Sequence, residues 1–434
     1  MMAEFFFPWL VAGTPLIGAY VSYVYYWNDP SHLKKSCLLW SLFSLVPIAG
    51  LNMSMAEGPL PLLLLPLGAT ISLLGHPTHS DHRLSWLMTL IGLGLGIGVL
   101  AHHTILSNLF ALVLSALMAR LLFRHHTALW PMSWWGISLF GLAGFSMLIA
   151  TMASQPLSSS ASLLACAVLV PLLPFHTGYV TALTRLPGNL PSFAAILLPS
   201  VGLHLMAAVL PTVPSTVSGF VSTLALISAL YGAIKALAQI RVRLMVAYGS
   251  LSFFSMFWWF AASSGMATAR AAVLIVSIGL ATCGFLIAWQ VLRTRYGDNV
   301  DPLSISGLAA SMPSYAVLLS LLALAAMGLP PFGVFAGFMG LLLHSPIPSV
   351  LGLLVIISTW LAASWYIMAA VQRLLFGLRR NDLRYRDVIH HEWVALSLIL
   401  VALVVIGLAP SEWFTSRTTL ETVNTFSREL TWKR

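Results

Sequence analysis

Titratable side chains inside apolar stretches are the residues of this sequence with the clearest chemical potential. Lys235 lies in an apolar stretch just before Arg241 and Arg243, and His176 and His204 lie in two other apolar stretches. An ionisable residue within a membrane span is costly and usually marks a substrate, ion or proton path. Imidazole also exchanges protons near neutral pH. We therefore take Lys235, His176, His204 and Arg243 as ion-path candidates.

Each candidate has a purely structural alternative that the sequence leaves open. The long stem of Lys235 could carry its ammonium to the membrane surface. His176 could cap backbone carbonyls, and His204 could be a hydrogen-bonded packing residue. Arg243 belongs to a basic loop, where it could act only on membrane topology.

Metal, cofactor and nucleophile chemistry has little support in the sequence. His76, His79 and His82 form an H-x2-H-x2-H run, but only Asp81 accompanies them, whereas a metal site needs several converging ligands. The three cysteines are far apart and are predicted to be small buried residues: Cys37, Cys166 and Cys283. We predict no metal, no cofactor and no catalytic centre in this chain itself.

Two apolar stretches with proline interruptions must position the candidate side chains. The interrupting residues are Pro171, Pro174, Gly328, Pro330 and Pro331. Proline removes a backbone donor and breaks the helical hydrogen-bond ladder. Two such stretches at matching places in two halves predict an inverted-repeat transporter fold. Non-helical backbone at membrane depth is tolerated only where protein or a water-filled cavity surrounds it.

Composition places the whole chain in the membrane. Of 434 residues, 59% are hydrophobic and 8% are charged, whereas a soluble domain carries roughly 25% charged residues. The net charge of +9 therefore sets membrane topology and does not indicate nucleic-acid binding. The adjacent Trp258 and Trp259 are interpreted as interfacial or lipid-facing residues.

Hydropathy and charge together predict the topology of an all-α polytopic membrane protein. Apolar runs of about 17–25 residues predict about fourteen spans. Their approximate bounds are 5–26, 36–54, 59–76, 84–101, 104–123, 130–153, 161–183, 190–211, 216–239, 244–263, 269–293, 313–345, 349–374 and 391–410. Every odd-numbered span leads into a loop with Lys or Arg, from Lys34 and Lys35 to the Arg379–Arg386 run. Those loops are predicted to be cytoplasmic, with both termini on the outer side.

The span order predicts two inverted five-helix repeats. Spans four to eight and nine to thirteen each carry their broken span fourth, so spans seven and twelve are the broken helices. An odd number of spans inserts the second unit upside down, as an inverted repeat requires. The predicted regions are 1–83 with three spans, the repeats 84–211 and 216–376, and 377–434 with the last span and a tail.

Three stretches in the right order resemble one membrane family. PLLPFHTGYVTALTRLPGNLPSFAAIL, ALYGAIKALAQIRVRLMVAYGSLS and MGLPPFGVFAGFMGLLL are similar to motifs of the proton-translocating antiporter-like subunits of respiratory complex I, membrane-bound hydrogenases and Mrp-type antiporters. The resemblance covers roughly residues 84–376. It implies a fourteen-span core and a Lys235 that faces the interior, near the second break.

The departures from the family pattern concern its ion relay. The pumping subunits carry a glutamate on span five, lysines on spans seven and eight, and a lysine or glutamate on span twelve. The matching positions here are Ser115, Leu169, Ser200 and Phe338. No predicted span has Asp or Glu in its middle. The resemblance therefore implies a divergent member whose own relay is degenerate.

Three functions remain open at this point. The chain could be a membrane subunit of a proton-translocating complex I-like or hydrogenase-like assembly, in which quinone or hydrogen chemistry would reside on partner subunits. It could instead be the membrane partner in an inorganic-carbon (CO2 or bicarbonate) uptake complex. It could also be a non-pumping scaffold within either complex. The expected location is the bacterial inner membrane, and the expected partners are other subunits and lipid, without nucleic acid.

Overall fold

The apolar composition requires a fold that satisfies its own backbone hydrogen bonds, because hydrocarbon offers no water to do so. The computed structural model describes residues 2–52, 60–102, 104–124, 132–264, 269–297, 306–344, 349–376 and 386–409. Within these ranges the regular structure is entirely helical, with no strand. Of the predicted last region, 377–434, only residues 386–409 are described, so Arg380 lies outside the described residues.

Eighteen α-helices occur in the described ranges, with short 3-10 turns at Ser80–His82 and Leu210–Thr212. The first nine are α1 (Met2–Tyr26), α2 (Pro30–Phe43), α3 (Leu45–Asn52), α4 (Leu60–Leu74), α5 (Arg83–Ala101), α6 (Thr104–Arg124), α7 (Met132–Met152), α8 (Leu157–Leu169) and α9 (Thr177–Arg185). The others are α10 (Leu190–Val209), α11 (Ser215–Leu237), α12 (Val242–Ser264), α13 (Ala269–Tyr296), α14 (Leu308–Ser311), α15 (Pro313–Ala326), α16 (Gly333–His344), α17 (Val350–Leu375) and α18 (His390–Leu408).

Ten helices of the described chain are long and apolar enough to cross a membrane: α1, α5, α6, α7, α10, α11, α12, α13, α17 and α18. Helices α4, α8, α15 and α16 are apolar but shorter. The prediction of an all-α polytopic membrane protein is confirmed at this level. Helices α12 and α13 are buried over most of their length, whereas only a third of α11 and of α17 is buried.

A buried ion pair joins the end of α13 to the start of α18. The guanidinium of Arg295 donates to both carboxylate oxygens of Glu392, at 2.8 and 2.6 Å. The two side chains are only 8% and 2% exposed. Glu392 also accepts a hydrogen bond from the Ile389 N–H at the start of α18. One carboxylate therefore neutralises a buried cation and caps a helix.

A second carboxylate, Asp387, ties the same region to α15. It accepts from the N–H groups of Ser314 and Tyr315 in the first turn of that helix, at 2.9 and 3.2 Å. Burial raises the pKa of Asp387, but hydrogen bonds from Val388, Ser314 and Tyr315 outweigh burial, so its pKa lies below the ordinary value. This cap therefore stabilises the fold above the ordinary carboxyl pKa. It is lost only as the pH falls through the lowered value.

The Arg295–Glu392 pair should be important for stability. We predict that Glu392→Gln lowers the unfolding free energy by about 3–5 kcal/mol, because it leaves a buried guanidinium without its counter-charge. Unfolding by SDS titration in mixed micelles measures the change. The control is Asp81→Asn, since this carboxylate is 79% exposed and its contact with His79 is 3.4 Å long; it should change stability little. Equal effects of the two substitutions would contradict the prediction.

Candidate functional site

The first proline-interrupted stretch is non-helical between Leu169 and Thr177. Its freed backbone groups find partners on helices that follow later in the chain. The indole N–H of Trp258 on α12 donates to the Val170 carbonyl at 3.0 Å, and the Leu173 N–H donates to the Ser228 hydroxyl on α11 at 3.1 Å. Protein groups thus replace the water that the membrane interior lacks.

The second interrupted stretch has the same kind of cap. Helix α15 ends at Ala326 and α16 begins at Gly333. The indole N–H of Trp360 on α17 donates to the Met327 carbonyl at 2.6 Å. Gly328 adopts φ +72°, a left-handed conformation that glycine adopts without a Cβ penalty. All five break residues predicted from the sequence lie in these two non-helical segments: Pro171, Pro174, Gly328, Pro330 and Pro331.

His176, at the end of the first break, forms the centre of an aromatic cluster. Its ring lies 5.4 Å from the ring of Tyr231 and 6.1 Å from that of Tyr248, measured between centroids. The residue is 6% exposed, and neither ring nitrogen has a hydrogen-bond partner among the described residues. Lys235 completes the cluster, with its Nζ 5.7 Å from the Tyr231 ring centroid. Two of the four ion-path candidates are therefore brought together.

The interior position expected for Lys235 is wrong. Lys235 lies in the last turn of α11, is exposed on the surface of the chain, and stands beside the first break rather than the second. The physical reason is that α11 packs on one side only, through residues such as Ala229 and Ala233. The helix end therefore leaves the long lysine stem free to reach the membrane surface.

The other two candidates lie apart from this cluster. His204 on α10 has its Nε2 3.3 Å from the His102 carbonyl. Arg243, at the start of α12, donates to the Thr184 carbonyl and to the Gln290 side chain, each at 3.4 Å. These contacts join His204 to the end of α5 and Arg243 to α9 and α13, and none of the three partners is a break residue.

The four positions that differ from the family relay are all in the core. Ser115, Leu169, Ser200 and Phe338 are at most 2% exposed. The hydroxyls of Ser115 and Ser200 have no hydrogen-bond partner among the described residues. Phe338 packs against Phe260, 6.2 Å away between ring centroids, and against Trp360. The described carboxylate side chains lie at helix ends or in loops: Asp29, Asp81, Asp387 and Glu392.

Several residues of the site were missed by sequence reasoning. The prediction that Trp258 and Trp259 face lipid is wrong, since they are 0% and 1% exposed. A tryptophan pair in an apolar run gives no indication of which side it faces. A better signal was available for Trp258 and Trp360, because each proline break frees carbonyls that need a donor. Tyr231 and Tyr248 lie within the second of the three family-like stretches, and nothing in the sequence indicates that they meet His176.

Comparison with known proteins agrees with the motif reading. Residues 153–364 match the family model described as NADH:quinone oxidoreductase/Mrp antiporter, TM. The resemblance is thereby confirmed for this stretch. It includes three of the four altered relay positions, while Ser115 lies outside it.

Curated relatives match over the same central region. Subunit M of the NADH-quinone oxidoreductase of Rickettsia bellii is 27% identical over 266 residues, which is 57% of this chain and 51% of the relative. Subunit M of the F(420)H(2) dehydrogenase of Methanosarcina mazei is 29% identical over 255 residues, which is 56% of this chain and 50% of the relative. The matched part of the chain thus spans about half the length of these relatives.

Solved structures show the same fold at lower identity. A chain of respiratory complex I from Thermus thermophilus with bound NADH superposes with a TM-score of 0.81 at 19% identity, covering 93% of this chain and 96% of that one. A chain of the archaeal membrane-bound sulfane sulfur reductase gives a TM-score of 0.79 at 15% identity, with 94% and 95% covered. Nearly the whole chain therefore has the fold of these respiratory membrane subunits.

The tryptophan caps can be tested directly. We predict that Trp258→Phe lowers the unfolding free energy by about 1–3 kcal/mol, because it leaves the Val170 carbonyl buried without a donor. SDS-titration unfolding measures the change. The matched control is Trp259→Phe, which removes a similar indole from an equally buried neighbour that caps neither break. A loss for Trp259→Phe as large as that for Trp258→Phe would contradict a capping role.

Proposed function

We propose that this chain is an antiporter-like membrane subunit of a multi-subunit, proton-translocating respiratory assembly, and that its own ion relay is degenerate. The matched family stretch, the two subunit M relatives and the shared fold support membership of such an assembly. The chemistry of the complex would reside on partner subunits.

The packing of Phe338 is the observation that best supports the proposed loss of the ion relay. A proton path through a membrane needs titratable groups or ordered water. Phe338 instead lies among Phe260 and Trp360 in the core, and Leu169 is fully buried at the first break. Aliphatic and aromatic side chains neither bind a proton nor hold a water chain, so these positions insulate the interior.

The proposal includes the complete topology. Ten helices are long enough to be spans by themselves. The pairs α8–α9 and α15–α16 each form one broken span, the pair α2–α3 forms one span, and α4 forms one span, which gives fourteen in all. The broken spans are then numbers seven and twelve of two inverted five-helix repeats, at 84–211 and 216–376. Regions 1–83 and 377–434 flank them. We place the chain in the bacterial inner membrane with its basic loops cytoplasmic and both termini outside.

Affinity purification in mild detergent tests the assembly. We expect other membrane and peripheral subunits of a quinone- or hydrogen-linked respiratory complex to co-purify with the chain, because its exposed flanks at α11 and α17 are free for neighbours. Identification of the co-purified proteins by mass spectrometry is the measurement. Recovery of a large zinc-binding protein alone would overturn the respiratory assignment in favour of inorganic-carbon uptake.

The degenerate relay has its own test. We expect proteoliposomes that contain the purified chain alone to show no exchange driven by a pH gradient, because no described carboxylate lies in the middle of a span to carry protons. A pH-sensitive dye inside the vesicles reports the exchange. Protonophore-sensitive exchange would contradict the proposal. In that case, loss of exchange in Lys235→Met or His176→Gln would assign conduction to the aromatic cluster of the first break.

A further inference from the structure

A separate group of basic side chains lies at the end of the bundle that carries the basic loops. It consists of Lys34 on α2, His76 and His82 between α4 and α5, and Arg243 at the start of α12. We call these four residues the cationic cluster. Neither break contributes to it, and the proposed function uses Lys34 only for membrane topology and makes no use of His76 or His82.

Lys34 is unusual because it is only 7% exposed. Its ammonium donates to the main-chain carbonyl of His76, a neutral partner. Within the described residues no carboxylate oxygen lies in ion-pair distance of Lys34. Glu392 attracts it only from farther away and is itself bound to Arg295. A buried ammonium normally has a counter-charge, so this lysine indicates a missing anionic partner.

His76 supplies the second, independent observation. It is 2% exposed, and neither of its ring nitrogens has a hydrogen-bond partner among the described residues. Burial, reinforced by His82, Arg243 and Lys34, lowers the pKa of His76 to about 3, and a hydrogen-bonding contact with the main chain of Gly188, which falls short of full hydrogen-bond geometry, only partly opposes this. His76 is therefore a neutral imidazole with one N–H to donate.

His82 and Arg243 form the accessible edge of the cluster. The ring centroid of His82 lies 6.5 Å from that of His76, and both His82 and Arg243 are half-buried. Arg243 also holds the Thr184 carbonyl and the Gln290 side chain, which fixes its guanidinium in place. The cluster thus runs from two buried donors to two half-buried ones.

The chemistry of this arrangement selects the ligand. An ammonium, a guanidinium and imidazole N–H groups are donors, so they suit an anion with several acceptor oxygens. Charge-assisted hydrogen bonds from Lys and Arg to phosphate are among the strong ones. We propose that the cationic cluster binds a phosphate-class oxyanion, which is either the headgroup of an acidic phospholipid or free phosphate.

Ligand-dependent thermal unfolding of the purified full chain tests the proposal. One series adds inorganic phosphate at constant ionic strength balanced with chloride, and a second adds short-chain phosphatidylglycerol, with phosphatidylcholine, which is zwitterionic and has no net charge, as its counterpart. A ligand that binds the folded state raises Tm. A rise with free phosphate identifies the soluble anion as a source, whereas a rise with phosphatidylglycerol alone identifies the lipid headgroup.

Two neighbouring lysines provide a matched pair of variants. Lys34→Met should weaken binding about tenfold or more, since a hydrogen bond to a charged group is lost. Lys35→Met should not change binding, because Lys35 is the exposed neighbour on the same helix. If Lys34→Met does not fold, His82→Gln and His79→Gln replace the lysine pair. His82→Gln should weaken binding, and His79→Gln is the control because the His79 side chain is 61% exposed. Wild-type protein that responds to neither ligand, or paired variants that respond equally, would overturn the proposal.

Discussion

The obligation to satisfy every backbone group inside hydrocarbon governs this structure. Prolines interrupt two apolar helices, and each interruption frees backbone carbonyls that need another donor where hydrocarbon or packed protein excludes water. The indole N–H groups of Trp258 and Trp360 donate hydrogen bonds to two of those carbonyls. Trp258 does so from a fully buried position and Trp360 from a half-buried one, so the capping requirement accounts for a large side chain in the core at the first break. The close packing around both breaks follows from the same requirement.

The cap of the second break and the loss of charge nearby belong together. Trp360 holds the Met327 carbonyl and packs against Phe338, the position where the resemblance implies a charged residue. A desolvated ammonium or carboxylate there would face an indole ring and apolar neighbours, without a described counter-charge. The aromatic contact therefore stabilises the break, and the proposed loss of the relay assigns to the same contact the insulation of the interior from ions.

The sequence predicted what depends on local chemistry. Proline acts on its own helix, so both breaks could be placed to within a few residues, and apolar run length predicted most helices. The direction in which a side chain points depends on distant packing instead. Hydropathy alone could not show that Trp258 is buried, that Lys235 is exposed, or that Lys34 is nearly covered. The environment of Lys34 is made by residues as far away in the sequence as Glu392.

The caps share a direction along the chain that matters for how the protein is made. The Val170 carbonyl is bonded to Trp258, the Leu173 N–H to Ser228, and the Met327 carbonyl to Trp360. Each partner therefore follows, in the order of synthesis, the backbone group that it satisfies. Protein chains are made from the N-terminus onward. The hydrogen bonds of the first broken segment can therefore form only after α11 and α12 have been synthesised, and those of the second only after α17. Until those helices are made, each proline-broken segment lacks the donors or acceptors that complete its backbone hydrogen bonds in the folded chain.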